Sequence, residues 1–213
     1  MGYSGGDPSK KDYQELFIRW FQYGTFCPIF RAHGRRYPGD TKAPNELWAY
    51  GPEVQRICTD FIKLRYRLLP YIYTLSDRVT REHYTPMRLL AFDFPQDEKV
   101  LDCKDQFMYG PALLVCPILE AGATSRSVYL PEGHTWFDFW TGKKYQGGIT
   151  VMAEAPLSTM PLFVKAGSII PYYMSVEKNI NTDIPLEIHV FTGEDAIFNL
   201  YEDDGETIEY KRR

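Results

Sequence analysis

Between residues 53 and 84 the apolar side chains Val54, Ile57, Cys58, Phe61, Leu64, Leu68, Tyr71, Ile72, Leu75 and Val79 recur at intervals of three and four. That spacing lines one face of an α-helix. Pro70 falls inside the pattern, and because its ring removes a backbone donor and clashes with the preceding turn, two helices or one sharp kink are expected there. A second helical pattern covers residues 12–24, with Leu16, Trp20 and Tyr23 on one face, Phe17 and Phe21 beside it, and Gly24 as a stop. The front of the chain therefore needs a second apolar surface against which these helices can pack.

The texture changes between residues 92 and 105. Beyond it, short apolar runs at 112–118, 127–130, 135–140, 148–153, 161–170, 186–191 and 196–201 read as strands. The turn signals between them, such as Pro131-Glu-Gly133, Thr141-Gly142, Gly147-Gly148 and Thr192-Gly193, favour antiparallel pairing over β-α-β units. In the front part, residues 26–33 are too apolar for a loop, are bounded by Gly24 and Gly34, and read as a buried strand ending in polar groups; residues 35–44 read as a long surface loop. The last residues, from Tyr201 onward, look like a hairpin whose second strand has just begun, and residues 1–6 enter the first helix without a preceding core strand. Both ends are expected to be cuts in a longer protein.

Composition removes several functions. With 24 basic and 28 acidic residues the net charge is −4, and no basic stripe tracks a phosphate backbone, so nucleic acid is not an expected partner. Cys27, Cys58, Cys103 and Cys116 show no C-x-x-C spacing and read as buried free thiols; neither a metal nor a cofactor is expected. No apolar run is long enough for a membrane span, and the first residues are too polar for a signal peptide. Compartment, periplasmic or secreted versus cytoplasmic, and oligomeric state stay open.

Several stretches resemble, in order and spacing, the C-terminal part of glycoside hydrolase family 31, the α-glucosidases and α-xylosidases. They are Glu15-Leu-Phe-Ile-Arg-Trp-Phe-Gln-Tyr-Gly-Thr-Phe-Cys-Pro-Ile-Phe-Arg-Ala-His33, Arg65-Tyr-Arg-Leu-Leu-Pro-Tyr-Ile-Tyr73, Pro86-Met-Arg-Leu89, Asp105-Gln-Phe-Met-Tyr-Gly-Pro-Ala-Leu-Leu-Val115, Val128-Tyr-Leu-Pro131, the stretch from Trp136 to Gly142, Pro161-Leu-Phe-Val-Lys-Ala-Gly-Ser-Ile-Ile-Pro171 and Tyr201-Glu-Asp-Asp-Gly205. The resemblance implies an α/β plus all-β protein, with the last units of a (β/α)8 barrel at 1–92, a proximal antiparallel β-sandwich at 93–182 and the start of a second β domain at 183–213. Residues 26–33 would then be the last barrel strand, and barrel enzymes carry their site residues at the C-terminal ends of such strands.

By the same resemblance, His33 hydrogen-bonds hydroxyls of the sugar in subsite −1. A neutral imidazole suits that task, having one donor and one acceptor; on the residues alone, a strand-end histidine satisfied by backbone carbonyls is equally open. Arg31, two residues earlier and on the same strand face, either reaches the sugar or pairs with a barrel carboxylate. Tyr3, after Gly2, stands where the family often has a pocket aromatic.

Retaining glycosidases need two carboxyl groups about 5 Å apart. In the family both are aspartates in aromatic- and glycine-rich motifs, and no segment here matches either, so no catalytic residue is assigned to this chain and the pair is expected upstream of Met1. Asp93 belongs to the connection after the helices, Asp138 to a sandwich strand, and Glu202, Asp203 and Asp204 to a hairpin tip whose spacing does not fit a calcium loop. His83, His134 and His189 lack ligand spacing, and no other catalytic motif is present. Cys27 to Gly34 followed by Asn45-Glu-Leu-Trp48 resembles the α-xylosidase branch more than the α-glucosidase branch. The expected partner is an oligosaccharide, with terminal α-linked xylose or glucose as the cleaved residue and activity expected of the longer enzyme, not of this portion alone. The competing reading, a stand-alone carbohydrate-binding or structural β-sandwich module, does not require the helices before residue 84.

Overall fold

The computed structural model describes residues 7–32, 45–176 and 184–208. Its first element, α1 (Lys11–Thr25), is followed by a 3-10 turn at Leu47–Tyr50 and by α2 (Pro52–Arg67) and α3 (Leu69–Glu82). The expected break lies where Pro70 puts it: Leu68 both ends α2 and begins α3, and Pro70 sits in the first turn, where a missing N–H costs nothing. His83, the predicted helix residue, ends α3 in the left-handed conformation (φ 55°), and Tyr84 donates back to the Arg78 carbonyl at 3.2 Å in a Schellman-type closure.

α1 carries two apolar stripes, and only one is covered. Tyr13, Phe17, Ile18 and Phe21 are buried, whereas Leu16 and Trp20, expected on the principal buried face, are 45% and 46% exposed. The stripe at 13, 17 and 21 wins because Tyr50 stacks on Phe17 at 3.9 Å from the side of the neighbouring turn.

The strands are β1 (Met87–Arg88), β2 (Phe107–Tyr109), β3 (Leu113–Val115), β4 (Ser125–Leu130), β5 (Thr135–Asp138), β6 (Lys144–Gln146), β7 (Ile149–Glu154), β8 (Leu162–Lys165), β9 (Ser168–Tyr173) and β10 (Leu186–Phe191). Six form one antiparallel sheet in the order β1-β2-β3-β8-β5-β6; β4 pairs with β7, and β9 with β10. The central strands alternate with period two between two cores. Leu113, Val115, Leu162 and Val164 join the helices in one cluster, while Leu114, Cys116, Phe163 and Trp136 join Val128 and Leu130 of β4 in the other. Each such side chain removed from water contributes roughly 1.5–3 kcal/mol.

Three sequence expectations are corrected. Residues 161–170 are two strands, because Gly167 (φ 72°) turns the chain and donates to the Phe191 carbonyl at 2.7 Å. Residues 196–201 form no strand: the Tyr201 N–H goes to Thr74 Oγ1 at 3.1 Å and Phe198 stacks on Tyr71, so this segment docks on α3 and not on a sheet edge. Residues 26–32 form no strand either, and among the described residues no barrel strand lies beside them to supply a ladder. Of the four free cysteines, Cys58 and Cys116 are buried as expected, and Cys27 and Cys103 are half-buried.

Tyr71 joins the two parts of the fold. Its buried hydroxyl donates to the Tyr109 carbonyl at 2.9 Å and accepts from the Ala112 N–H at 3.2 Å. Gly110 lies beneath it at φ 64°, and a Cβ there would sit 2.2 Å from the Tyr71 hydroxyl. Tyr71→Phe is expected to cost about 1–3 kcal/mol by stranding those backbone groups, and Gly110→Ala more than that, because strain and overlap add. Urea unfolding of the two variants checks both the losses and their order.

Candidate functional site

The segment that follows α1 leads to the positions marked for ligand contact, and its backbone is held by one side chain. Phe26 closes α1 by donating its N–H to the Tyr23 carbonyl at 3.0 Å. The carbonyl that ends α1 and those of residues 27 and 28 converge on Arg65 in the last turn of α2. Its Nη1 donates to the Thr25 and Cys27 carbonyls at 2.6 and 2.7 Å, and its Nη2 to the Pro28 carbonyl at 3.1 Å. A guanidinium has a planar fork of donors and so can serve several carbonyls at once. Phe30 packs edge-on against Phe21 at 4.7 Å between centroids, and the Arg65 guanidinium lies 5.5 Å from the Phe30 ring centre. Cys27 Sγ donates back to the Tyr23 carbonyl at 3.5 Å, and burial pushes its thiol pKa up.

Arg31 lies exposed on this segment. His33 and Tyr3 lie outside the described residues.

The carboxylates weighed as catalytic groups hold local structure instead. Arg88 Nε donates to both oxygens of Asp93 at 2.9 Å. Asp138 Oδ1 accepts from the Trp140 and Thr141 N–H groups at 3.0 and 2.8 Å and from the Thr141 hydroxyl at 2.8 Å, an Asx turn. Asp203 accepts from the hydroxyls of Tyr201 and Tyr73, which hold its pKa below the usual range. Thr207 and Glu206 donors hold Asp204 at a pKa of about 2, and His189 and Arg67 lower that of Glu187. A glycosidase acid needs its carboxyl pushed the other way, by an apolar pocket or a neighbouring anion. Among the described residues no group of His, Cys, Asp and Glu is arranged to hold a metal ion, and no helix is long and apolar enough to cross a membrane. His134 and His189 each meet a glutamate, Glu194 at 3.2 Å and Glu187 at 2.7 Å, in separate places.

Sequence reasoning passed over two anchors, Arg65 and Arg19. Arg19 is 8% exposed although it carries a charge, and burial lowers its pKa while Glu15 acts in the opposite sense. It donates to the carbonyls of Ala155 (2.8 Å), Thr159 (2.9 Å), Ala123 (3.1 Å) and Pro156 (3.3 Å), and Gln22 adds Leu157 at 2.9 Å. The signal available was slight: an arginine flanked by the apolar Ile18 and Trp20 on an amphipathic helix, where burial requires a paired charge. Beside α1, a cleft of about 600 Å³ is bordered by Leu16, Trp20, Tyr23, Leu89, Phe92 and Leu119.

Residues 2–75 match the model of the glycosyl hydrolases family 31 TIM-barrel domain, and residues 83–170 that of the family's C-terminal domain. The α-xylosidase of Saccharolobus solfataricus is 41% identical over 99% of this chain and 28% of its own length. α-Glucosidase 2 of Bacillus thermoamyloliquefaciens is 36% identical over 93% of this chain and 25% of its own. Among solved structures, the family 31 α-xylosidase of Xanthomonas citri superposes with a TM-score of 0.86 at 45% identity, over 94% of this chain and 22% of that one. The family 31 dextranase of Flavobacterium johnsoniae also gives 0.86, at 38% identity over 97% of this chain and 26% of that one. This chain thus spans about a quarter of the length of the relatives it matches.

The Asp204 turn predicts an acid response. Its folded pKa of about 2 lies below the ordinary 3.8, so its stabilising contribution is complete above about pH 4 and is lost as pH falls through about 2. The thermal midpoint should drop less steeply over that window in Asp204→Asn than in the wild type, as followed by circular dichroism.

Proposed function

The chain belongs to glycoside hydrolase family 31, and from that premise we propose that it supplies the substrate-positioning end and the β buttress of a retaining α-glycosidase. That enzyme would remove terminal α-linked xylose, or glucose, from oligosaccharides, its two catalytic carboxylates lying outside these 213 residues. The observation that carries the reading is the alignment of the α-xylosidase relative over 99% of this chain, combined with the structural employment of Asp93, Asp138 and Asp203 described above. On this reading residues 1–92 close the barrel, 93–182 form the proximal β domain and 183–213 begin the next. His33 holds sugar hydroxyls, Tyr3 walls the pocket and Arg31 stands at its edge.

What supports xylose is a narrow margin of identity, 41% and 45% to the α-xylosidases of Saccharolobus solfataricus and Xanthomonas citri against 36% to α-glucosidase 2, with a probable glucan 1,3-α-glucosidase at 38% and an Aspergillus niger xylosidase at 32% between and below them. A pocket that differs by a methylene-sized group discriminates by only about 1–3 kcal/mol, so both sugars belong in the assay. The stand-alone module reading would leave α1–α3 without a purpose, yet they share one core with β3 and β8.

Two enzymes test the proposal: the 213-residue chain, and a hybrid in which it replaces the matching segment of the Saccharolobus solfataricus α-xylosidase. The chain alone should not turn over p-nitrophenyl α-xyloside, and the hybrid should. In the hybrid, His33→Ala is expected to lower kcat/KM by about 10²-fold or more, since buried sugar hydroxyls lose their partner. Turnover by the chain alone would place the carboxylates within it, and a folded hybrid with no activity would remove the positioning role.

A further inference from the structure

We propose that Arg65 is a positioning residue, the side chain that clamps the backbone leading to the ligand-contacting end of residues 26–33; the functional half of this inference rests on the reading of His33 above. A strand in a barrel is located by the ladders on its two sides. At residues 25–28 a hold of another kind is present: three carbonyls, those of Thr25, Cys27 and Pro28, accept from a single guanidinium. Arg65 therefore ties this segment to the last turn of α2, the helix that packs beside α1, alongside any strand that flanks it in the longer enzyme. The same guanidinium lies over Phe30 and so also orients the ring that separates the clamped carbonyls from Arg31. Lysine, a point charge with no planar fork, can serve some of these carbonyls but not all three in this geometry.

Cys27 gives a direct readout in the chain as it stands. Its carbonyl is one of the three that are clamped, its half-buried thiol bonds to the Tyr23 carbonyl, and the fully buried Cys58 and Cys116 report on the rest of the fold. In Arg65→Gln, modification of Cys27 by iodoacetamide, followed by peptide mass spectrometry and compared as the limiting rate at high pH so that loss of the Arg65 charge beside the thiol does not enter, should accelerate about tenfold or more as local opening becomes easier, while Cys58 and Cys116 keep their rates. Arg65→Lys should fall between the two. An unchanged Cys27 rate overturns the clamp, and equal acceleration of all three thiols overturns its local character.

In the hybrid enzyme, Arg65→Gln should lower kcat/KM about tenfold, with part restored by Arg65→Lys, since misplacing a contact by about an ångström is enough. A faster Cys27 with unchanged kcat/KM overturns the positioning role. If instead His33→Ala leaves kcat/KM unchanged, the sugar-contact reading fails while the clamp, measured on Cys27, stands.

Discussion

Strands β3 and β8 are apolar on both faces, and this constraint organises the rest of the molecule. Leu113 and Val115 point one way and Leu114 and Cys116 the other; Leu162 and Val164 oppose Phe163 in the same manner, all of them essentially inaccessible to solvent. A sheet with two apolar faces cannot leave either to water. The helices α1–α3 cover one face and the β4–β7 pair covers the other, so what the sequence divides into a helical front and a strand-rich back is joined by one shared core. Tyr71 completes the joint where the helix layer meets the turn between β2 and β3, and the left-handed Gly110 gives its hydroxyl the room it needs.

Where the chain leaves regular structure, arginines take over the hydrogen bonding that ladders would have done. Arg19 gathers four loop carbonyls, Arg65 three, Arg67 takes the Tyr173 carbonyl, and Arg126 those of Asp105 and Pro117. Buried carbonyls without partners cost about 1–3 kcal/mol each, and one guanidinium answers several at once because its donors diverge in a plane. These contacts are long-range in sequence: Arg19 reaches residues more than a hundred positions away. They tie loops on the sheet to the helices with no gain in regular structure.

That division explains what could be read from the sequence. Periodicity located α1, α2 and α3 and the break at Leu68, because helix burial and proline geometry are local effects. Alternation located β4, β5, β7 and β10. It failed for the short edge strands β1 and β6, which have little apolar pattern, for the three-residue β2, too short to show alternation, and for residues 196–201, where an alternating segment docks on α3 through Thr74 and Tyr71. It failed again for residues 26–32, since strand propensity becomes a strand only beside a neighbour. The proposed site rests on the motif that holds Arg31 and His33, not on a geometry legible in the sequence. The two arginines that shape its surroundings look, in sequence, like ordinary charges on amphipathic helices.

The distribution of carboxylates and cations carries the last step. Asp93 is bound by Arg88 and Asp138 closes a turn; Asp203, Asp204 and Glu187 are engaged by donors that favour the charged form, through tyrosine hydroxyls, turn N–H groups or an ion pair. Groups held that way stabilise turns and junctions and are poor proton donors at neutral pH. A retaining glycosidase needs one carboxyl destabilised as an anion beside another that stays charged. The feature that does suit a sugar enzyme is of another kind: a segment with the exposed Arg31 near its end and a backbone clamped from behind by Arg65. Placement of that sort has to come from a rigid scaffold. A sheet buried on both faces, with helices bolted to it by Tyr71 and Arg19, provides one.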